Sequence, residues 1–168
     1  RAYLFEKPSD YKFFIGKIGS LLDAQDNSFV FQKNFHNKIK IFSFCLMPTH
    51  FHFLLSQSGQ DDVAKFMQSL QLSYSLYRKK KTGFRGRLYE SRYKARLLSS
   101  EGDFINVSKY IHNNPKELGC DIFSYPYSSL RAYSNYGSKE YKLLRFLDMT
   151  QIMRYFSDDR DSYCSYVK

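Results

Sequence analysis

Two apolar runs, Ile39 to Met47 and His50 to Leu55, face each other across Pro48 and Thr49, and this pairing constrains the chain more than any other feature. Runs of this length and composition, joined by a tight turn, predict an antiparallel strand pair. In the second run, residues i and i+2 share a sheet face, so His50 and His52 project together while Phe51, Phe53 and Leu55 face the opposite way. One face packs and the other carries two imidazoles. Neutral imidazole is a common ligand for divalent metals, but two ligands from one strand need at least one more protein group.

Around this hairpin the hydrophobic spacing is helical. Residues 9 to 24 place Tyr11, Phe14, Ile15, Ile18, Leu21 and Leu22 on one stripe, with Pro8 and Ser9 marking the start. The segment from Asp26 to Asn37 is polar and irregular, with Phe29, Val30 and Phe31 inserted. Asp61 and Asp62 open a second helix through Val63, Phe66, Met67, Leu70, Tyr74 and Tyr77, ended by lysines and Gly83. Residues 87 to 98 read as a further strand. A third helix runs from about Gly102 to Asn114, where Pro115 steers the preceding residue away from helical geometry. A turn-rich stretch, Tyr125-Pro126-Tyr127-Ser128-Ser129, then leads into a short segment at Leu130 to Tyr133. A polar break near Asn135 to Ser138 precedes a modestly helical tail, from Met149 to Phe156 and from Asp158 onward. The order of elements predicts an α+β fold, an antiparallel sheet with helices packed on one face and the other face open at His50 and His52.

The 168 residues fit one domain with a small appendage, and no apolar run approaches the length of a membrane span. Cys45, Cys120 and Cys164 are isolated and odd in number, which indicates neither a disulfide framework nor a zinc knuckle and favours a reducing, cytoplasmic setting. The net charge is +10, and between positions 78 and 96 Arg78, Lys79, Lys80, Lys81, Arg85, Arg87, Arg92, Lys94 and Arg96 are opposed by Glu90 alone. Such a cluster points to nucleic acid, although lysines 79 to 81 also suit the negative end of a helix. Tyr89 and Tyr93, interleaved with the arginines, suit stacking on unpaired bases.

On the third helix, Phe104, Val107 and Ile111 form the stripe expected to pack on the sheet. Tyr110 and Asn114 lie beside it, one turn apart and within about 40° of each other at roughly 100° per residue. Brought to the histidines, they would add a nucleophile and a third metal ligand for attack on a phosphodiester. His112, two residues from Tyr110, turns to the far side and reads as structural or exposed. By itself a helical tyrosine, one of fifteen, is more commonly a packing ring.

Taken in order, four segments resemble the HUH single-tyrosine transposases, most nearly the REP-associated tyrosine transposases related to the insertion-sequence-200-like enzymes. They are Leu46-Met47-Pro48 with His50-Phe51-His52, the basic stretch Gly86 to Ala95, Tyr110-Ile111-His112-Asn113-Asn114-Pro115, and Tyr125 to Ser129. The resemblance implies a ferredoxin-like or RRM-like fold and a reaction on single-stranded, hairpin-bearing DNA that leaves a 5′-phosphotyrosine and a free 3′-hydroxyl. It makes Tyr110 the nucleophile, His50, His52 and Asn114 the ligands of Mg²⁺ or Mn²⁺, and the basic stretch the DNA contact. Residues 1 to 135 would form the catalytic domain and residues 136 to 168 a helical extension. The family pattern places a strand before the segment that begins at Arg1. It also often has asparagine where Thr49 stands, and in some relatives glutamine where Asn114 stands. A homodimer would suit two-end transposition. A non-cleaving single-strand binder on the same fold, and a basic protein whose histidines are merely buried, are the competing readings.

Overall fold

A computed structural model describes residues 3–24, 34–83, 86–134 and 144–168. Helix α1 (Pro8–Leu22) opens with proline at its first position, and the Asp10 carboxylate accepts the otherwise orphaned N–H groups of Glu6 and Lys7 at 3.0 and 2.9 Å. The hairpin follows as strands β1 (Ile39–Met47) and β2 (His50–Gln57), paired antiparallel so that Cys45 faces His52 and Met47 faces His50. Helix α2 (Asp62–Thr82) ends at Gly83, whose φ of 66° and N–H bond to the Lys79 carbonyl form a left-handed cap. Helix α3 (Glu101–Asn113) is capped by the Ser100 hydroxyl, which accepts from the Asp103 N–H. It tightens into a 3₁₀ turn, Asn114–Leu118, as Pro115 demands. Among the described residues, three short helices follow: α4 (Leu130–Tyr133), α5 (Thr150–Tyr155) and α6 (Arg160–Val167).

Both faces of the hairpin are covered, which corrects the expectation of helices on one face and an open sheet. Ile41, Phe44, Leu46, Phe51, Phe53 and Leu55 meet α1 and α2 in one core, where Phe14, Ile18, Phe66 and Leu70 are fully buried. On the opposite face Phe42, Cys45, Met47 and Leu54 meet α3, and Ile152, Tyr163 and Val167 of the tail complete this second core. The change of face at Phe42 follows from an irregularity in the ladder between Ile41 and Ser43. The tail helices are therefore built into the second core. The apolar stripes expected for the first two helices are buried in α1 and α2, whereas in α3 Ile105, Ser108 and His112 join Ile111 inside.

Residues 87 to 98 do not form the expected strand. They have no ladder, Leu97 is 93% exposed, and they line with β2 a groove of about 1120 Å³. A strand requires a partner for its N–H and C=O groups, and among the described residues β2 pairs only with β1. The outer edge of β1, by contrast, is closed by residues far along the chain. The carbonyls of Phe42 and Leu46 accept the hydroxyls of Tyr133 and Tyr125, while the Phe44 N–H and C=O are both taken by Ser129. The part of the segment Asp26 to Asn37 from 26 to 33, including Phe29, Val30 and Phe31, lies outside the described residues, as do Arg85, residues 1 and 2 and the polar break at 135 to 138. Among the described residues no helix is long and apolar enough to cross a membrane.

A buried ion cluster joins α1 to α2. Arg78 is 3% exposed; its guanidinium reaches Asp10 Oδ2 at 3.3 Å, Glu6 at 2.5 Å and the Leu4 carbonyl at 3.1 Å, and Lys81 bonds Asp10 Oδ1 at 2.6 Å. Burial alone would raise the Asp10 pKa, but hydrogen bonds from Lys81, Lys7 and Glu6 hold it below the ordinary 3.8. A carboxylate whose folded pKa is lowered contributes stability that is complete above the unfolded value and is lost as the pH falls through the folded one. Asp10→Asn is expected to lower stability at pH 7 by about 1.5–3 kcal/mol, the range for hydrogen bonds to charged groups. It should also flatten the loss of stability below about pH 4. Urea denaturation across pH measures both effects.

Candidate active site

At the turn end of the hairpin, His50 and His52 stand with ring centroids 4.8 Å apart and planes at 86°. His52 also meets the ring of Tyr110 on α3, with centroids 5.7 Å apart and planes at 84°. The sheet pleat supplies the first pair and the packing of α3 on the His52 face supplies the third group, so the chain brings all three together. His52 is largely enclosed, and burial first, then the neighbouring His50, lowers its pKa below the ordinary 6.5; at neutral pH it is an unprotonated imidazole with a lone pair to offer. Its Nε2 is enclosed with no hydrogen-bond partner. His50 is oriented by the Thr49 hydroxyl, 3.1 Å from Nδ1. This gives a role to the threonine that departs from the family pattern.

Asn114 lies one turn beyond Tyr110 and is 2% exposed. Its amide nitrogen donates to the carbonyls of Tyr110 and Ile111 at 2.9 and 3.3 Å, and since those carbonyls only accept, the NH₂ must point at them. The side-chain oxygen is left enclosed with no partner. Tyr110 is 56% exposed, and none of the hydrogen bonds among the described residues involves its hydroxyl.

These features fit a divalent cation. Two imidazoles on one metal at about 2.1 Å hold their ring centroids roughly 5 Å apart, which the histidine pair satisfies. Two enclosed atoms with lone pairs and no partner among the described residues, His52 Nε2 and Asn114 Oδ1, are of the kind that a cation satisfies. No cluster of three His, Cys, Asp or Glu side chains suited to a metal occurs among the described residues.

The basic residues divide. Arg78 is buried against Asp10 and Glu6, so its charge serves the α1–α2 joint, which corrects its reading as a DNA surface, while Lys81, paired with Asp10, stays exposed. Tyr89 is packed against the first core, and its hydroxyl is enclosed and unpartnered, so it is not a stacking platform. Lys79, Lys80, Arg87, Arg92, Lys94 and Arg96 are exposed, as is Tyr93, and the last four of these cations lie on the segment bordering the groove beside His50 and His52. Arg85 is outside the described residues.

The profile of a family described as "Transposase IS200 like" matches residues 24–114, more than half the chain, and this span contains both histidines, Tyr110 and Asn114. The chain belongs to the IS200-like transposase family. No curated protein and no solved structure matches it significantly. Membership makes this transposase an enzyme of the transposase and endonuclease class, with DNA transposition as its function.

Pleat and helix phase account for the shared face of His50 and His52 and for the one-turn separation of Tyr110 and Asn114, and the structure sets Tyr110 against His52. What sequence reasoning missed is the back of α3. His112 is fully buried, its Nδ1 2.7 Å from the Tyr163 hydroxyl and its Nε2 2.7 Å from the Ser129 hydroxyl. Only the 200° offset of His112 from Tyr110 hinted at this, because Tyr163 and Ser129 are remote in sequence.

Proposed function

We propose that this transposase cleaves and rejoins single-stranded, hairpin-bearing DNA through Tyr110, with a divalent cation, Mg²⁺ or Mn²⁺, held by His50, His52 and Asn114. The observation that carries this reading is the exposed Tyr110 ring set against His52. The bound cation would polarise a non-bridging oxygen of the scissile phosphate. Tyr110 Oη forms a bond to phosphorus and releases its proton to solvent, the bond to the 3′-oxygen breaks, and the leaving oxygen takes up a proton as a free 3′-hydroxyl. The 5′-phosphotyrosine conserves the energy of the phosphodiester, so a second 3′-hydroxyl attacks it, reverses the steps and joins the strands without a nucleotide cofactor. The scaffold for this chemistry is a ferredoxin-like or RRM-like sheet of which β1 and β2 are two strands.

Thr49 accepts the Nδ1 proton of His50 and so keeps Nε2 unprotonated for the cation. Buried surroundings keep His52 in the neutral form that ligation requires. Arg92, Lys94 and Arg96 bind phosphates along the approaching strand, and Tyr93 stacks on a base.

Incubation with a pool of single-stranded oligonucleotides bearing a hairpin and randomised flanks, in Mn²⁺, is expected to give a protein–DNA adduct that survives denaturing electrophoresis. Tyr110→Phe should abolish it, and His52→Ala or removal of metal by EDTA should reduce it at least about a hundredfold. An adduct that persists in Tyr110→Phe overturns the nucleophile, and tight binding without adduct in any divalent metal marks a non-cleaving binder instead.

For the contact surface, the triple change Arg92→Ala, Lys94→Ala, Arg96→Ala is expected to reduce the log–log salt slope of oligothymidine binding by about 2, at about 0.7 per phosphate contact. Lys81→Ala should leave that slope unchanged and lower the melting temperature. Fluorescence anisotropy over a salt series distinguishes the two.

A further inference from the structure

The back of α3 carries a closed chain of buried hydrogen bonds whose proton positions can be assigned by counting. Ser129 Oγ accepts from the Phe44 N–H at 2.8 Å and lies 3.1 Å from the Phe44 carbonyl, to which it can only donate; with its one proton placed there, it accepts from His112. His112 Nε2 therefore carries the ring proton and donates it to Ser129 across 2.7 Å. Nδ1 is then the acceptor, and the Tyr163 hydroxyl donates to it across 2.7 Å. With its proton committed, Tyr163 accepts from the Ser108 hydroxyl, also at 2.7 Å. Every donor and acceptor of the chain is satisfied, and Ser108, His112, Ser129 and Tyr163 are all fully buried.

This chain ties three elements. Ser108 and His112 belong to α3, Tyr163 to α6, and Ser129 is bonded to Phe44 of β1, the neighbour of the Cys45 that pairs with His52. A second stripe on α3 faces the same brace: Asn106 accepts from the Tyr166 hydroxyl at 2.7 Å, Lys109 donates to the Tyr166 carbonyl, and Asn113 donates to the Val167 carbonyl at 2.7 Å. Tyr110 has no comparable tie of its own. The rotation and rise of α3 against the hairpin thus set where its hydroxyl stands relative to His52, and one residue of helix phase, about 100°, would carry it out of the site.

We infer that His112 and Tyr163 are positioning residues for the Tyr110 nucleophile, with α6 as the brace that holds α3 in register on β1. This inference rests on the phosphotyrosine reading above. Neither side chain touches DNA or the reacting atoms. They act through the helix, and a misplacement of the order of 1 Å at a reacting group lowers rate by about a hundredfold.

The test compares the full chain with Tyr163→Phe, His112→Phe and His112→Gln, after thermal melting has set an assay temperature at which all are folded. Two quantities are read on the hairpin oligonucleotide pool in Mn²⁺: the single-turnover rate of adduct formation and the affinity by anisotropy. Tyr163→Phe and His112→Phe are expected to slow adduct formation by about ten- to a hundredfold with affinity changed less than about twofold. His112→Gln should regain much of the rate, because its carbonyl can accept from Tyr163 while its amide donates to Ser129. Unchanged rates, or rate and affinity falling together, overturn the positioning role. Nitrogen-15 NMR of the unmodified chain reads the imidazole without reference to activity: a neutral His112 protonated at Nε2 is expected, and protonation at Nδ1 overturns the chain of bonds even if a variant fails to fold. A wild-type chain with the expected tautomer but no adduct removes the nucleophile itself, and with it anything to position, which separates failure of the function from failure of the brace.

Discussion

The hydroxyl of Ser129 is the point on which the architecture turns. A hairpin of two strands is marginal in water, because half of its backbone groups face outward at the edges. Ser129 Oγ takes both the N–H and the C=O of Phe44, and its own N–H adds a second bond to that carbonyl. Tyr125 and Tyr133 do the same for the carbonyls of Leu46 and Phe42 at 2.7 and 2.5 Å. Side chains from the segment after α3 thus stand in for a neighbouring strand along the outer edge of β1. The same Ser129 oxygen is hydrogen-bonded to His112 Nε2 at 2.7 Å, so the group that closes the sheet edge also ties the helix that carries Tyr110.

Electrostatics divides the molecule in a way that net charge conceals. The +10 of the sequence suggests a continuous basic run from Arg78 to Arg96, but Arg78 turns inward and Lys81 is paired with Asp10. Asp10 is 1% exposed and would be untenable as an isolated anion; Arg78 and Lys81 are its counter-charges, and its backbone donors are the N–H groups at the start of α1. The cations that remain exposed near the histidines, Arg87, Arg92, Lys94 and Arg96, share a segment with no ladder to hold it.

Local periodicity made much of this legible. The stripes of α1 and α2 and the alternation of β2 follow from one-dimensional spacing, and so do the shared face of His50 and His52 and the one-turn separation of Tyr110 and Asn114, because each rests on a pleat or a helical turn. Three features were not legible. Residues 87 to 98 have the composition of a strand, but strand formation depends on a partner that composition does not reveal. The cover on the second face comes from Ile152, Tyr163 and Val167, in a tail whose helical signal is weak taken alone and whose burial is decided by α3. Arg78 looked like part of a basic run because its partners, Glu6 and Asp10, lie some seventy residues earlier.

The two sides of α3 have opposite physical demands, and the sequence meets them with a helical offset. As the proposed nucleophile Tyr110 would have to reach solvent and substrate, and it is more than half exposed, with its hydroxyl free of hydrogen bonds among the described residues. Exposure of that kind supplies no restoring force, and a side chain held only at its own surface would wander by more than phosphoryl transfer tolerates. The restoring force therefore has to come from the far side of the helix, where water is excluded and each hydrogen bond lost leaves a buried group unpaired. His112, two residues on and about 200° around, is the residue that geometry makes available for it. Burial pushes its pKa down to about 3, so the imidazole stays neutral and keeps one donor and one acceptor. Asn114, at the same helix end, joins the two sides: its amide is bound to the carbonyls of Tyr110 and Ile111 and its oxygen is left over. The rigidity at the back and the unsatisfied groups at the front are two consequences of a single helix phase.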